Sequence, residues 1–172
     1  PVTQDLQIKA NPSPVHPKTD NQRKYINSIN HNQITFGTGS AGTGKTFIAV
    51  KKACEALDNK QIERIIITRP IIEAGEECDI GAIPGYLYSK LEPHFASVLQ
   101  VLKKHYGRTF LEYLIKIGRV ELCPTALCRG RTFDNCYVIL DESQNLSAKS
   151  LKLFLTRLGD NSTMIVNGDS HQ

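Results

Sequence analysis

The chemistry that the sequence indicates most strongly lies in eight consecutive residues. Gly39, Ser40, Ala41, Gly42, Thr43, Gly44, Lys45 and Thr46 spell G-x-x-x-x-G-K-T. The pattern follows a predicted strand and begins a predicted helix, which is the context that a phosphate-binding loop requires. Glycines let the backbone bend so that successive amides point inward, and the helix N-terminus adds partial positive charge. We therefore expect this loop to cradle the phosphates of ATP.

Two acidic side chains supply the second half of the predicted site. Asp141 and Glu142 directly follow the apolar run at 137–140, and ligands bind at the carboxyl ends of strands in open α/β sheets. In such a site Lys45 reaches the β and γ phosphates, while Thr46 and Asp141 hold Mg²⁺. Glu142 is then the base that polarises the attacking water. The sequence predicts Mg²⁺-dependent binding and hydrolysis of ATP.

Weaker signals concern residues whose position the sequence alone does not fix. Gln22 can read adenine, because its amide offers both a donor and an acceptor, or it can be the capping-box partner of Thr19. After the last predicted strand, Gly168, Asp169 and Gln172 predict either a polar sensor beside the γ phosphate or a simple turn. The arginines that are candidates for phosphate contacts or for surface ion pairs are Arg69, Arg129, Arg131 and Arg157.

Composition restricts the class of protein to which these residues belong. The 172-residue chain has 40% apolar and 22% charged residues, the balance of one ordinary globular domain. Its apolar runs are far shorter than the roughly 20 residues that a membrane helix needs, so no membrane partner is expected. The five cysteines are odd in number, which favours free, buried thiols and a cytoplasmic location. The net charge of +4 permits a nucleic-acid partner without identifying one.

The elements that must position the site alternate between strands and helices. Residues 1–18, with prolines at 12, 14 and 17, predict an extended arm before a domain at 19–172. Strands are expected at 33–36, 64–68, 119–123, 136–140 and 163–166. Helices are expected at 45–57, 88–106, 110–117 and 147–159, and a short helix is expected after Thr19. The segment 73–85 is expected to be a loop or lid. This order predicts a three-layer α/β domain with a mostly parallel sheet.

Several segments together resemble the PhoH-like ATPases, whose core is similar to the first motor domain of superfamily 1 helicases. They are residues 21–22, 68–70, 83–85, 129–133, 140–145, 155–157 and 168–172, together with the phosphate-binding loop. The R-G-R-T element at 129–132, followed by D-E-S-Q-N at 141–145, is the most specific part, since generic P-loop proteins lack it. The resemblance implies a RecA-like P-loop fold, ATP, Mg²⁺, a link to RNA metabolism or phosphate stress, and a ring-shaped homo-oligomer.

The function and the extent of the domain remain open at this point. Coupling of ATP hydrolysis to remodelling of RNA or single-stranded DNA is one hypothesis, and a nucleotide-controlled assembly module or a small-molecule kinase are the alternatives. The segment 77–80 is two residues longer than the family spacing. Because the family pattern continues past Gln172, we expect a truncated domain, a disordered tail or a compact viral version.

An incomplete edge of the sheet is also expected. Sheets of this class usually have a fifth strand that flanks the P-loop strand, and here the arm before Lys18, a neighbouring chain or missing residues would have to cover that edge. Arginines from neighbouring subunits commonly complete such sites. Arg157, on the polar side of the helix predicted to end at Gly159, is the candidate for this catalytic role.

Overall fold

Five parallel strands form the centre of the computed structural model, which describes residues 14–71 and 91–169. The strands are β1 (Ile34–Thr38), β2 (Arg64–Arg69), β3 (Val120–Pro124), β4 (Cys136–Leu140) and β5 (Thr163–Gly168). Their spatial order is β1-β5-β4-β2-β3, and every neighbouring pair is parallel. Because neighbouring strands are parallel, the carboxyl ends of β1, β4 and β5 lie at the same end of the sheet, where the predicted site lies.

The described helices connect these strands as the alternating pattern predicts. They are α1 (Asp20–His31), α2 (Lys45–Asp58), α3 (Ala96–Tyr106), α4 (Arg108–Lys116) and α5 (Ala148–Leu155), with 3₁₀ turns at Glu92–Phe95, Thr125–Cys128 and Ser143–Asn145. Within the described ranges, none of the helices combines the length and the apolar character needed to cross a membrane.

The core lies in two layers, one on each face of the sheet. Ile65, Ile67 and Ile139 belong to the cluster that also contains the buried apolar residues of α2, α3 and α4. Ile66 and Val138 belong to the opposite cluster, which includes a buried side chain of α5. Because successive strand residues point to opposite faces and both faces are covered, the central residues of β2 and β4 are consecutively apolar. The predicted three-layer α/β fold is confirmed.

Two predicted helices differ from the observed ones. The helix expected at 88–106 is interrupted by the 3₁₀ turn Glu92–Phe95, which contains a proline near its start and lies between the helical residue Leu91 and α3. The helix expected to reach Gly159 ends at Leu155. Beyond it, the backbone pairs with Phe133 instead, through bonds to Arg157 O and Gly159 N at 2.8 and 2.9 Å. Arg157 therefore lies in a turn and not on a helix.

The outer edge of β1 is unpaired among the described residues, since β1 bonds only to β5. The sheet already has five strands, so a strand flanking β1 would be the sixth and not the fifth. On one face of β1, Ile34 and Phe36 are 37% and 53% exposed.

Three of the predicted features lie outside the described residues. They are most of the predicted arm, the predicted loop at 73–85 with its longer segment, and Gln172.

Candidate functional site

The phosphate-binding loop connects the carboxyl end of β1 with the first turn of α2. Gly42 and Gly44 have φ values of 76° and 90°, a left-handed conformation that residues with a Cβ atom rarely adopt. Gly44 is the N-cap of α2, and Lys45 is its first residue. The unpaired amides and the positive end of the helix dipole therefore lie beside the loop, which favours a bound anion.

Lys45 lies inside the loop and bonds to its backbone. Its Nζ atom donates to the carbonyl oxygens of Gly39 and Ser40, at 2.7 and 2.8 Å. Thr43 also donates from its hydroxyl to Ser40 O, at 2.9 Å. The ammonium is thus already positioned where it can exchange carbonyl oxygens for the oxygens of a phosphate.

Asp141 and Thr46 meet although 95 residues separate them in the sequence. Thr46 Oγ1 donates to Asp141 Oδ1 at 3.0 Å, and the Asp141 backbone amide donates to Thr68 O on β2 at 2.9 Å. Asp141 is buried at the end of β4. The two residues predicted to hold Mg²⁺ are therefore neighbours, as a shared ion would require.

Arg69, at the end of β2, neutralises Asp141 in this structure. Its Nη2 and Nε atoms donate to Asp141 Oδ2 at 2.6 and 3.1 Å. The same guanidinium donates to His94 O at 2.7 Å and to Ser97 Oγ at 3.0 Å. Sequence reasoning identified Arg69 only as one of four candidates for phosphate contacts. It could not assign this contact, because the adjacency of β2 and β4 is a property of the sheet order.

Glu142 adopts a left-handed backbone conformation, with φ 57° and ψ 39°. Such strain in a residue other than glycine is concentrated at functional sites. Gln144 Nε2 donates to Glu142 Oε2 at 2.6 Å, and Gln144 Oε1 accepts from the Asp169 amide at 3.0 Å. Sequence reasoning gave Gln144 no role. Its position two residues after the acid pair is the signal that could have found it.

These residues surround one cavity of about 320 Å³. Its predicted members are Ala41, Gly42, Thr43, Gly44, Lys45, Thr46, Asp141, Glu142, Gly168 and Asp169, and its other members include Phe47, Arg69, Ser97 and Gln144. The loop, the acid pair and the end of β5 thus converge on one volume. Gln172, the remaining member of the predicted sensor, lies outside the described residues.

A neighbouring cavity of about 800 Å³ continues past the loop to α1. Gly39, Ser40, Gln22 and Phe36 are among its lining residues. Gln22 Nε2 donates to Thr43 O at 3.0 Å, and Gln22 Oε1 accepts from the Lys18 amide at 2.7 Å. Thr19 caps α1 by accepting from the Gln22 amide at 3.2 Å. The reciprocal bond of the predicted capping box therefore goes to Lys18 and not to Thr19.

The other three arginines lie away from the phosphate-binding loop. Arg131 pairs with Glu121, and its hydrogen bonds lower the pKa of that carboxyl. Arg129 and Arg157 instead line a separate cavity of about 330 Å³. Neither of these two side chains has a hydrogen bond or salt bridge to another described residue. Arg157 therefore does not line the cavity of about 320 Å³ beside the phosphate-binding loop of its own chain, which is called the nucleotide cavity below.

A phosphate-binding loop after the first strand and an acid pair after a central strand, on a parallel sheet, define a P-loop NTPase domain. Solved structures show the same fold. One is the large terminase of a thermophilic bacteriophage, with a TM-score of 0.53 and 13% identity over 89% of this chain and 39% of that one. Another is the SWI2/SNF2 ATPase core domain of Sulfolobus solfataricus, with a TM-score of 0.50 and 11% identity over 95% and 33% of the two chains.

The family follows from the sequence comparisons. The model described as "PhoH-like protein" matches residues 14–172, and the chain belongs to this family. It is 48% identical to Protein PhoH of Escherichia coli K12, over 93% of this chain and 45% of that protein. It is 46% identical to a PhoH-like protein of Bacillus subtilis, over 90% and 48% of the two chains. The chain thus spans less than half the length of these relatives.

Proposed function

We propose that this protein binds ATP with Mg²⁺ and hydrolyses it. The observation that carries the proposal is the convergence of the phosphate-binding loop, the acid pair and the end of β5 on one cavity of about 320 Å³. In this proposal Gly39 to Thr46 hold the phosphates, with Lys45 on the β and γ groups. Because Lys45, Thr46 and the acid pair bring charged and hydrogen-bonding groups to this cavity, it suits a polyanion with a cation better than an apolar ligand.

The residues present fit a magnesium ion. Mg²⁺ prefers hard oxygen ligands and commonly uses one or two protein oxygens together with phosphates. The Thr46 hydroxyl and the Asp141 carboxylate supply such oxygens, 3.0 Å apart. When bound, the ion neutralises charge on the phosphates. Arg69 holds the Asp141 carboxylate in position beside Thr46.

Glu142 is the proposed general base. Its carboxylate lines the cavity, and Gln144 holds one oxygen at 2.6 Å. Since Gln144 is also bonded to the Asp169 amide, it fixes the base relative to the end of β5. The second carboxylate oxygen of Glu142 is then the one that accepts a proton from water. A small-molecule kinase is disfavoured, because a base beside the acid ligand suits water activation.

The large cavity beside the loop is the proposed site of the adenine and ribose. Gln22 spans its rim, and exposed Phe36 offers an apolar surface on which a base can stack. The Gln22 amide keeps one N–H and one oxygen lone pair for adenine, since its bonds to Thr43 O and from the Lys18 amide use one of each. Gln172 remains a proposed contact to the γ phosphate.

The test of the proposal is the Glu142→Gln variant. We expect ATP binding to be retained and hydrolysis to fall by about 100-fold, the range for loss of a positioned base. Glu112→Gln is the matched control, because Glu112 pairs with Arg108 on the surface. Hydrolysis at the parent rate in Glu142→Gln, or no hydrolysis by the parent protein with Mg²⁺, would contradict the proposal.

A second candidate function is remodelling of RNA or single-stranded DNA. The observation that favours it is the cavity that contains Arg129 and Arg157, since guanidinium groups suit phosphodiester contacts. Stimulation of the ATPase rate by single-stranded RNA or DNA, lost in Arg129→Ala, would support a motor. Binding of ATP without stimulation would favour a nucleotide-controlled assembly module.

The proposal also includes a homo-oligomer, in which a ring is one arrangement, and a cytoplasmic location. The oligomer is supported by the unpaired outer edge of β1 among the described residues. The location is supported by the free thiols of Cys54, Cys123, Cys128 and Cys136, which suit a reducing compartment. Sedimentation across protein concentration tests the first, and cell fractionation tests the second.

A further inference from the structure

Two buried thiols lie close together outside the nucleotide cavity. Cys123 is near the end of β3, and Cys128 ends the 3₁₀ turn Thr125–Cys128. Their Sγ atoms are 3.4 Å apart. A disulfide requires about 2.05 Å between sulfur atoms and two Cβ atoms about 4 Å apart. The two sulfur atoms would therefore have to approach each other by about 1.3 Å to form a covalent bond.

The surroundings make one of these thiols the nucleophile. The hydrogen bond between Cys128 and Cys123 and the nearby Arg131 guanidinium lower the pKa of Cys128. The same hydrogen bond and burial raise the pKa of Cys123. Burial raises the pKa of Cys54 to about 12 and also raises that of Cys136. Because the thiolate is the reactive form, Cys128 should react before the other described cysteines.

A cavity gives Cys128 access to small reagents. Cys128 lines the same volume of about 330 Å³ as Pro70, Leu153 and Arg157. Leu153 is half exposed, so the volume lies at the surface of the molecule. Cys54 and Cys136 line none of the cavities described above. A hydroperoxide is small enough to enter this space.

We propose that Cys123 and Cys128 form a redox-sensitive dithiol that a hydroperoxide converts to an intramolecular disulfide. The Cys128 thiolate attacks the O–O bond and becomes a sulfenic acid, while the alcohol or water leaves. The Cys123 sulfur then attacks the sulfenic sulfur, the S–S bond forms, and the sulfenic oxygen leaves as water with the proton of the Cys123 thiol. The peroxide gains two electrons and the two thiols lose two. This proposal is independent of the proposed ATPase function.

The experiment exploits the position of both cysteines between two trypsin sites, after Arg119 and after Arg129. The full chain is treated with hydrogen peroxide, alkylated under denaturing conditions and digested. We expect the peptide 120–129 to be unalkylated and lighter than its reduced form by two hydrogen atoms. Its oxidation should be about tenfold faster than that of Cys54 or Cys136. Dithiothreitol should restore two alkylation sites.

Two single variants separate the roles of the sulfurs. In Cys123→Ser, Cys128 should stop at the sulfenic acid, which dimedone traps. In Cys128→Ser, Cys123 should remain reduced at the same peroxide dose. Thermal unfolding checks that each variant is folded. A peptide that keeps both alkylation sites, or that oxidises no faster than Cys54, would overturn the proposal even if one variant failed to fold.

Discussion

Asp141 is the residue on which the electrostatics of the site depend. Its carboxylate accepts from Thr46 and from Arg69, and its side chain is only 4% exposed. A buried carboxylate without a partner costs several kcal/mol, and the Arg69 guanidinium offsets that cost. Any cation that binds Asp141 must share it with this arginine.

Removal of Arg69 tests this dependence. Arg69→Ala should lower the free energy of unfolding by about 3 kcal/mol, because it leaves the Asp141 charge buried and unpaired. Urea unfolding in the presence of a chelator measures the change. The double variant with Asp141→Asn should recover part of it, since the neutral amide needs no counter-ion.

The control for this prediction is Arg131→Ala. The Arg131–Glu121 pair is 30% and 31% exposed at its two side chains, so its loss should cost about 1 kcal/mol or less. An equal cost for the two arginines would show that burial of Asp141 is not the cause.

A second prediction for a single residue concerns the contribution of Lys45 to ATP binding. Lys45→Ala should weaken ATP binding by about 10- to 100-fold, the range for one charged hydrogen bond, while the fold survives. Isothermal titration calorimetry measures the affinity. Lys52→Ala, on the same helix and paired with Glu55, should bind ATP like the parent. Unchanged affinity in Lys45→Ala would refute the assignment of the loop.

Single residues differ in how well the sequence predicts them. The positions of Lys45, Thr46 and Asp141 could be predicted, because a local spacing and the end of an apolar strand determine them. The contact of Arg69 with Asp141 could not, because it depends on the adjacency of two strands that are distant in sequence. The same is true of Gln144, whose amide bridges the ends of β4 and β5.

At the scale of the elements, α2 and α3 are joined by a buried polar chain. Lys51 Nζ donates to His105 Nδ1 at 2.8 Å, so the proton of His105 is on Nε2, which donates to Asp58 Oδ2 at 2.7 Å. Both Lys51 and His105 are buried. The sequence pattern predicted the two helices, but it carried no information about these buried polar contacts between them.

His105→Ala should lower the free energy of unfolding by about 3 kcal/mol, since it leaves a buried ammonium and a carboxylate without their partner. Denaturant unfolding measures the effect. His31→Ala is the control, because His31 is exposed at the end of α1 and should change stability by about 0.5 kcal/mol or less. The double variant Lys51→Met with His105→Leu should recover stability, and a failure to do so would contradict the polar explanation.

At the scale of the whole molecule, the nucleotide site lacks an arginine that is free to reach the γ phosphate among the described residues. Arg69 is paired with Asp141, and Arg157 lines the other cavity. An arginine supplied by a neighbouring chain can contribute about 10³ or more in rate. In a shared site Arg157 would serve the cavity of the next chain.

We therefore predict that the chain alone binds ATP better than it hydrolyses it, and that hydrolysis rises faster than linearly with protein concentration. Arg157→Ala should flatten this rise and leave ATP affinity nearly unchanged, when no nucleic acid is present. Arg129→Ala is the control, because Arg129 lines the same cavity as Arg157 but has no proposed role in the shared site. Constant specific activity in a protein that sediments as a monomer would contradict the shared site.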